Sequence, residues 1–193
     1  MLLIEDDVYG DLHPDRPVRL AQLAGGEDRV IHVPSFTKLL GPAARIGFVA
    51  ASRPRIDALL RAKVLSTLTG SALDELLLTE MLASGQHRRY LDRLRPRLAA
   101  ARALAIRLLA ELGFEIADAA DAGPFVWAGL PDAGVTERLA VEAWQSGILL
   151  ARGNQFHPDR RASRYLRFNV GRSTDPRLFA ELRRLLGKAR LAD

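Results

Sequence analysis

The chain has 193 residues, 48% of them hydrophobic and 26% charged, with a formal net charge of +5. This is the balance of a soluble globular chain, long enough for one full domain or two small ones. It has no cysteine, which excludes disulfides, thiolate metal sites and cysteine nucleophiles and fits a reducing, cytoplasmic compartment. No apolar stretch reaches the roughly 20 residues that span a bilayer, and the start, Met-Leu-Leu-Ile-Glu-Asp-Asp, lacks the pattern of a signal peptide.

Leu2-Leu3-Ile4 reads as a buried strand running into the acidic triplet Glu5-Asp6-Asp7. Residues 11 to 28, rich in proline, glycine and charge, read as an irregular excursion. Val30 to Val33 is a second buried strand, stopped by Pro34, and Ile46 to Ala51 a third. Strands apolar on both faces belong to a sheet covered on both sides by helices, an α/β arrangement. Helical spacing follows over residues 55–66, from Ser71 to Gly85, and over 87–112 with Pro96 inside, where a kink is expected. That long helix bridges two lobes, so the domain boundary falls near Pro96: residues 1–95 and 96–193.

Beyond Gly113 the pattern changes to α+β. Strands are expected at 114–116, 123–128, 148–150 and 165–170. Helices are expected at 135–146 and from Pro176, with Leu178, Leu182, Leu185 and Leu186 as the apolar face of the last one.

The chain's 28 basic residues include only three lysines, Lys38, Lys63 and Lys188. The arginines are spread along the polar faces of helices, as on a solvated surface, rather than gathered into a nucleic-acid patch. Lys38 ends an apolar run, and an amine in apolar company can lose its proton and attack a carbonyl. Asp6 and Tyr9 follow the first strand; Ser35 and Lys38 follow the second. Carboxyl ends of adjacent strands share a ligand crevice in α/β sheets, and Arg45 joins them if the third strand runs back from the same edge. An amine, a carboxylate, a phenol, a hydroxyl and a guanidinium together suit a phosphorylated aromatic aldehyde. His32, His13, His87 and His157 form no metal-ligand pattern and read as structural or loop residues.

Asp-x-x-Tyr, Ser-x-x-Lys, arginine seven residues on and glycine two further resemble the pyridoxal-phosphate core of class I/II aminotransferases of fold type I. Residues 4–9 and 35–38 are closer still to the aminotransferase-like domain of MocR-type regulators of the GntR family. The resemblance continues through Ser66–Thr69, Gly123–Trp127 and Leu166–Asn169. It implies a partial large domain followed by a small domain. It also implies pyridoxal 5'-phosphate as cofactor, with Lys38 as the internal aldimine lysine and proton-shuttling base and Tyr9 as its catalytic partner. By the same resemblance Asp6 faces the ring nitrogen, Tyr9 the ring oxygen, and Ser35 and Arg45 the phosphate. Arg167 binds the substrate α-carboxylate. Thr37 stands where the family often has serine.

The resemblance further implies a homodimer and a C-terminal half, with the phosphate loop and ring-stacking aromatic outside these residues. Three readings follow: an aminotransferase acting on an amino acid, an effector-sensing domain of a regulator whose DNA contacts lie in another domain, or an inactive partial gene product.

Overall fold

The computed structural model describes residues 1–15, 18–23, 25, 28–41, 43–117 and 122–191. The chain forms two compact units, Met1–Arg95 and Pro96–Asp193. Among the described residues no helix is long and apolar enough to cross a membrane.

In the first unit, β1 (Leu3–Asp6) pairs in parallel with β2 (Val30–Val33), Leu3 opposite Val30 and Asp6 opposite Val33. The pairing is extended at both ends, by Leu3 N–H to the Arg29 carbonyl at 2.8 Å and by Asp7 N–H to the Val33 carbonyl at 3.1 Å. Between the strands lie a 3-10 turn (Gly10–Leu12) and the single-turn α1 (Leu20–Leu23), in a segment read from sequence as irregular. Residues 16, 17, 24, 26 and 27 of that segment lie outside the described residues.

The third strand expected at 46–51 is present only as two isolated antiparallel bridges, His32 with Ala50 and Ser35 with Gly47. Pro34 is the cause. His32 and Ala50 exchange both backbone bonds at 2.9 Å, and Phe48 N–H reaches the Pro34 carbonyl at 3.4 Å. Proline has no N–H to return, so the ladder breaks there. Gly47 is required at this crossing, because a Cβ on it would lie 2.7 Å from the Pro34 oxygen.

α2 (Thr37–Leu40) is one turn long, closed by Gly41 N–H on the Thr37 carbonyl at 3.1 Å. Its buried residue is Leu39, whose carbonyl accepts the Tyr90 hydroxyl at 2.9 Å. α3 (Arg53–Ser66) and α4 (Ala72–Ala83) follow. Ser71 caps α4 by accepting the Asp74 N–H at 3.3 Å.

α5 (Gln86–Glu111) runs through Pro96, at which the two units divide. The second unit is a four-stranded antiparallel sheet in the order β3 (Glu115–Ile116), β4 (Phe125–Gly129), β6 (Tyr165–Asn169), β5 (Ala151–Arg152). α6 (Ala133–Gln145) and α7 (Pro176–Leu191) complete it.

Strand alternation sends Val126, Ala128, Leu166 and Phe168 to a buried face. They share the core with Ala105 and Leu109 of α5, Leu139 and Ala143 of α6, and Leu182 and Leu185 of α7. The fourth strand lies at 151–152 rather than at the expected 148–150. Ile148 gives its N–H to the Ala143 carbonyl at 2.8 Å, past Gly147 at φ 77°, so it closes α6 instead of entering the sheet.

Burial differs sharply between the units. β1, read from sequence as buried, is exposed on both faces, with Ile4 68% accessible, because β2 is its only described partner. On α3, Leu60 is 56% accessible and Leu65 89%, and most leucines of α4 are also exposed. The second unit therefore owns the hydrophobic core that stabilises it. Leu182→Ala should destabilise this unit by about 2–5 kcal/mol. Both tryptophans, Trp127 and Trp144, lie in it, so a lower midpoint in urea unfolding followed by tryptophan fluorescence checks the value.

Candidate functional site

Alternation along β1 divides the acidic triplet. Glu5 and Asp7 share one side and Asp6 takes the other. Glu5 accepts the N–H groups of Leu20 and Ala21 at 2.8 and 3.3 Å. Asp7 Oδ2 accepts Arg19 Nε–H at 2.5 Å and lies 2.9 Å from His32 Nε2. Asp6 is exposed, and its carboxylate meets no ion-pair partner among the described residues.

The parallel register ends β1 and β2 side by side, so Tyr9 and Ser35 leave from one edge of the pair. Ser35 accepts the Thr37 N–H at 3.2 Å and so organises the entry to α2. The segment after Arg45 returns antiparallel, with Phe36 N–H on the Ile46 carbonyl at 3.0 Å. That return sets Arg45 beside the Ser35 loop. Its backbone N–H is held by Asp74 at 3.3 Å, and its side chain is exposed.

Lys38 Nζ stands 5.8 Å from the centre of the Tyr9 ring, within cation–π range. Lys38 is exposed, where the sequence suggested an apolar setting. On a single helical turn the buried Leu39 takes the inward position, and its neighbour is left pointing out. Asp6, Tyr9, Ser35, Lys38 and Arg45 thus gather along one strand-end edge of the first unit. Pro42, in the same motif, lies outside the described residues.

Behind that edge is a cleft of about 230 Å³ lined by Asp7, Asp11, Arg19, His32, Ser35 and Phe36. Sequence reading missed this cluster. Asp7 was one of three adjacent acids, and its partners lie 12 and 25 residues away; the strand alternation just described was the available signal. Burial raises the Asp7 pKa, but hydrogen bonds from His32 and Arg19 and the Arg19 charge outweigh it, and the net value lies below the usual carboxylate range. The Arg19 pKa is raised in turn, mainly by its bond to Asp7. His32 is buried, with its ring edge-on to Phe48, a structural placement.

In the second unit Arg167 sits mid-strand in β6, opposite Trp127 on one side and Ala151 on the other. Its guanidinium carbon lies 4.2 Å from the Phe125 ring centre and 4.6 Å from that of Phe156. Among the described residues no carboxylate lies within ion-pair distance of it. Its neighbour Arg164 is engaged by Glu115 at 2.6 Å and by the Tyr165 hydroxyl at 2.9 Å. A cleft of about 540 Å³ beside β6 is lined by Arg167, Asn169, Arg172, Ser173 and residues 147–151. His157, at the end of the 3-10 turn Gly153–Phe156, is a loop residue.

No protein-family model matches the chain. Among solved structures it superimposes on the α-aminoadipate aminotransferase LysN of Thermus thermophilus, with TM-score 0.82 and 27% identity, over 98% of this chain and 50% of that one. The kynurenine aminotransferase of Pyrococcus horikoshii matches with TM-score 0.86 and 22% identity, over 99% of this chain and 48% of that one.

This chain has the fold of the fold type I aminotransferases. Its curated sequence relatives are HTH-type transcriptional regulators. YdcR of Escherichia coli is 36% identical over 171 residues, 87% of this chain and 36% of that protein. NorG of Staphylococcus aureus is 31% identical over 127 residues, 65% of this chain and 29% of that protein. The fold type I chain therefore spans about half the length of the enzymes it matches and about a third of the regulators.

The Asp7 cluster carries a pH dependence. A carboxylate with a depressed folded pKa contributes stability that is fully present above its unfolded value, about 3.9, and is lost as pH falls through the folded value. Hydrogen-exchange protection of the Leu3 and Asp7 amides should therefore fall below about pH 4. Asp7→Asn should lower protection at neutral pH by about 1–3 kcal/mol and flatten the acid dependence.

Proposed function

We propose that this chain is the pyridoxal-phosphate-holding part of an aminotransferase-like protein that takes an amino acid, with Lys38 as the amine that carries the cofactor. The observation that supports this most is the parallel register that ends β1 at Asp6 and β2 at Val33 side by side. From it, Tyr9, Ser35 and Lys38 follow at one edge, and Lys38 Nζ lies 5.8 Å from the Tyr9 ring. The donor set fits the group chemically. It offers one amine, an exposed carboxylate, a phenol, and a hydroxyl and guanidinium for an anion.

When bound, pyridoxal phosphate supplies an aldehyde that condenses with amines and a ring that draws electrons from the substrate carbon. Asp6 would hold a proton at the ring nitrogen. The Tyr9 phenol would hydrogen-bond the ring oxygen, and Ser35 and Arg45 would take the phosphate. The Lys38 amine would move a proton at the substrate α-carbon. Arg167, in the second unit, offers its guanidinium to the α-carboxylate. Lys38, Tyr9, Asp6, Ser35, Arg45 and Arg167 are thus the proposed functional residues, and a homodimer belongs to the same reading.

A second reading is favoured by the sequence relatives, which are HTH-type regulators. In it, the same chemistry senses pyridoxal phosphate or an amine, and DNA contact lies outside these residues. The two readings separate when an amino acid and a 2-keto acid are added with the cofactor. Sustained formation of the new keto acid marks an enzyme. A saturable absorbance change without turnover marks a sensor.

The shared premise has its own test. Incubation with pyridoxal phosphate should give a visible imine band, and borohydride reduction should fix the pyridoxyl group on Lys38 in preference to Lys63 and Lys188. Lys38→Ala should abolish the band. Equal labelling of the three lysines by mass spectrometry, or no band at saturating cofactor, would overturn the reading.

A further inference from the structure

The guanidinium carbon of Arg167 lies over two aromatic rings, and its N–H groups make no hydrogen bond among the described residues. One of these two rings, Phe125, lies diagonally across the β4–β6 pair, opposite Asn169. The other, Phe156, comes from outside the sheet, and its placement traces back to a glycine. A Cβ on Gly153 would lie 2.7 Å from the Tyr165 carbonyl and would collide with the Ser163 hydroxyl. Only glycine lets the 3-10 turn Gly153–Phe156 run hard against the entry to β6. That turn delivers Phe156 to Arg167.

Phe156 is 47% accessible, a large apolar side chain left half in water. Its ring is braced edge-on by Trp127 at 5.4 Å, and Trp127 is itself stacked on Tyr165 at 5.7 Å. The half-exposed ring is thus braced by an aromatic neighbour and meets the cation at 4.6 Å. Ring faces attract a guanidinium without consuming its donors. With no acceptor on it among the described residues, this cation keeps N–H donors available for contact with a carboxylate.

We propose that Phe156 is a positioning residue for Arg167, and that carboxylate binding at Arg167 depends on the Phe156 ring. The proposal rests on the reading of Arg167 as the carboxylate-binding group, and it places the third link of a line that runs Gly153, turn, Phe156, Arg167. It concerns the second unit alone and does not require the cofactor.

The test is NMR of the arginine Nε–H resonances in the full 193-residue chain, titrated with acetate and, as a neutral control, acetamide. Acetate should move the Arg167 resonance saturably and acetamide should not. Phe156→Leu should shift the free-state Arg167 resonance by loss of ring current and weaken acetate binding roughly tenfold. Phe156→Tyr, which keeps the ring face, should bind within about twofold of the parent. Backbone amide shifts that change only at the neighbours of Phe156 show that each variant is folded.

Acetate affinity unchanged in Phe156→Leu would overturn the positioning role, as would Phe156→Tyr failing as badly as Phe156→Leu. Should acetate leave the Arg167 resonance unmoved, the carboxylate reading of Arg167 falls and the proposal with it. Labelling of Lys38 by pyridoxal phosphate is independent of all these outcomes, so failure of the cofactor reading remains distinguishable.

Discussion

The first unit depends on a parallel pairing of two four-residue strands. Parallel strands must be joined by a crossover, so the chain leaves β1 at Asp6 and travels 23 residues before Val30 begins β2. Both strands then end on the same side, and everything after them inherits that side. Asp7 N–H bonded to the Val33 carbonyl continues the pairing one step beyond the strands. Pro34 then stops β2 from laddering further, and the chain turns into α2. Had the ladder continued, Ser35 and Lys38 would have been drawn along a strand with alternating faces. The break releases them into a loop and a helical turn, where Ser35 can bond the Thr37 N–H and Lys38 can stand beside Tyr9.

Behind this edge, the Asp7–Arg19–His32 cluster braces the same two strand ends from the other side. Asp7 belongs to the chain leaving β1, His32 to β2 itself, and Arg19 to the excursion between them. Three segments are tied through one carboxylate. A partly buried carboxylate is tolerable when hydrogen bonds and a cation replace the lost water, and removing any member leaves the others with uncompensated polar groups. The second unit needs no such brace, since its sheet is backed by a continuous core of leucine, phenylalanine and alanine from three helices and both central strands.

Much of this was legible in the sequence because it follows from local rules. Proline and glycine punctuation bounded the helices. Alternation in 165–170 marked β6 and singled out Arg167 as a charge inside an apolar strand, and the offsets within Asp-x-x-Tyr and Ser-x-x-Lys marked one strand-end edge. The missed features are non-local. The partners of Asp7 depend on a crossover that brings residues 19 and 32 to residue 7. The position of β5 depends on where β6 offers free backbone groups and on Ile148 having already spent its N–H on α6. The accessibility of Ile4 depends on which strands lie beside it, which apolarity alone does not report. The hold on Arg167 by Phe156 depends on a turn pressed against β6 by Gly153, a contact between segments about ten residues apart that no periodicity reveals.

Leu39 and Tyr90 give α2 a further meaning. The side chain of Leu39 is buried and its carbonyl is fastened by the Tyr90 hydroxyl, so the backbone at Lys38 is a fixed pivot. The lysine side chain is an exposed arm of four methylenes on that pivot, its amine over the Tyr9 ring. The radius the amine sweeps is set by the arm, but the centre of the sweep is set by two residues that carry no ionisable chemistry at the site. Loosening the Tyr90 anchor would leave the amine itself intact and chemically unchanged while moving the origin of its reach.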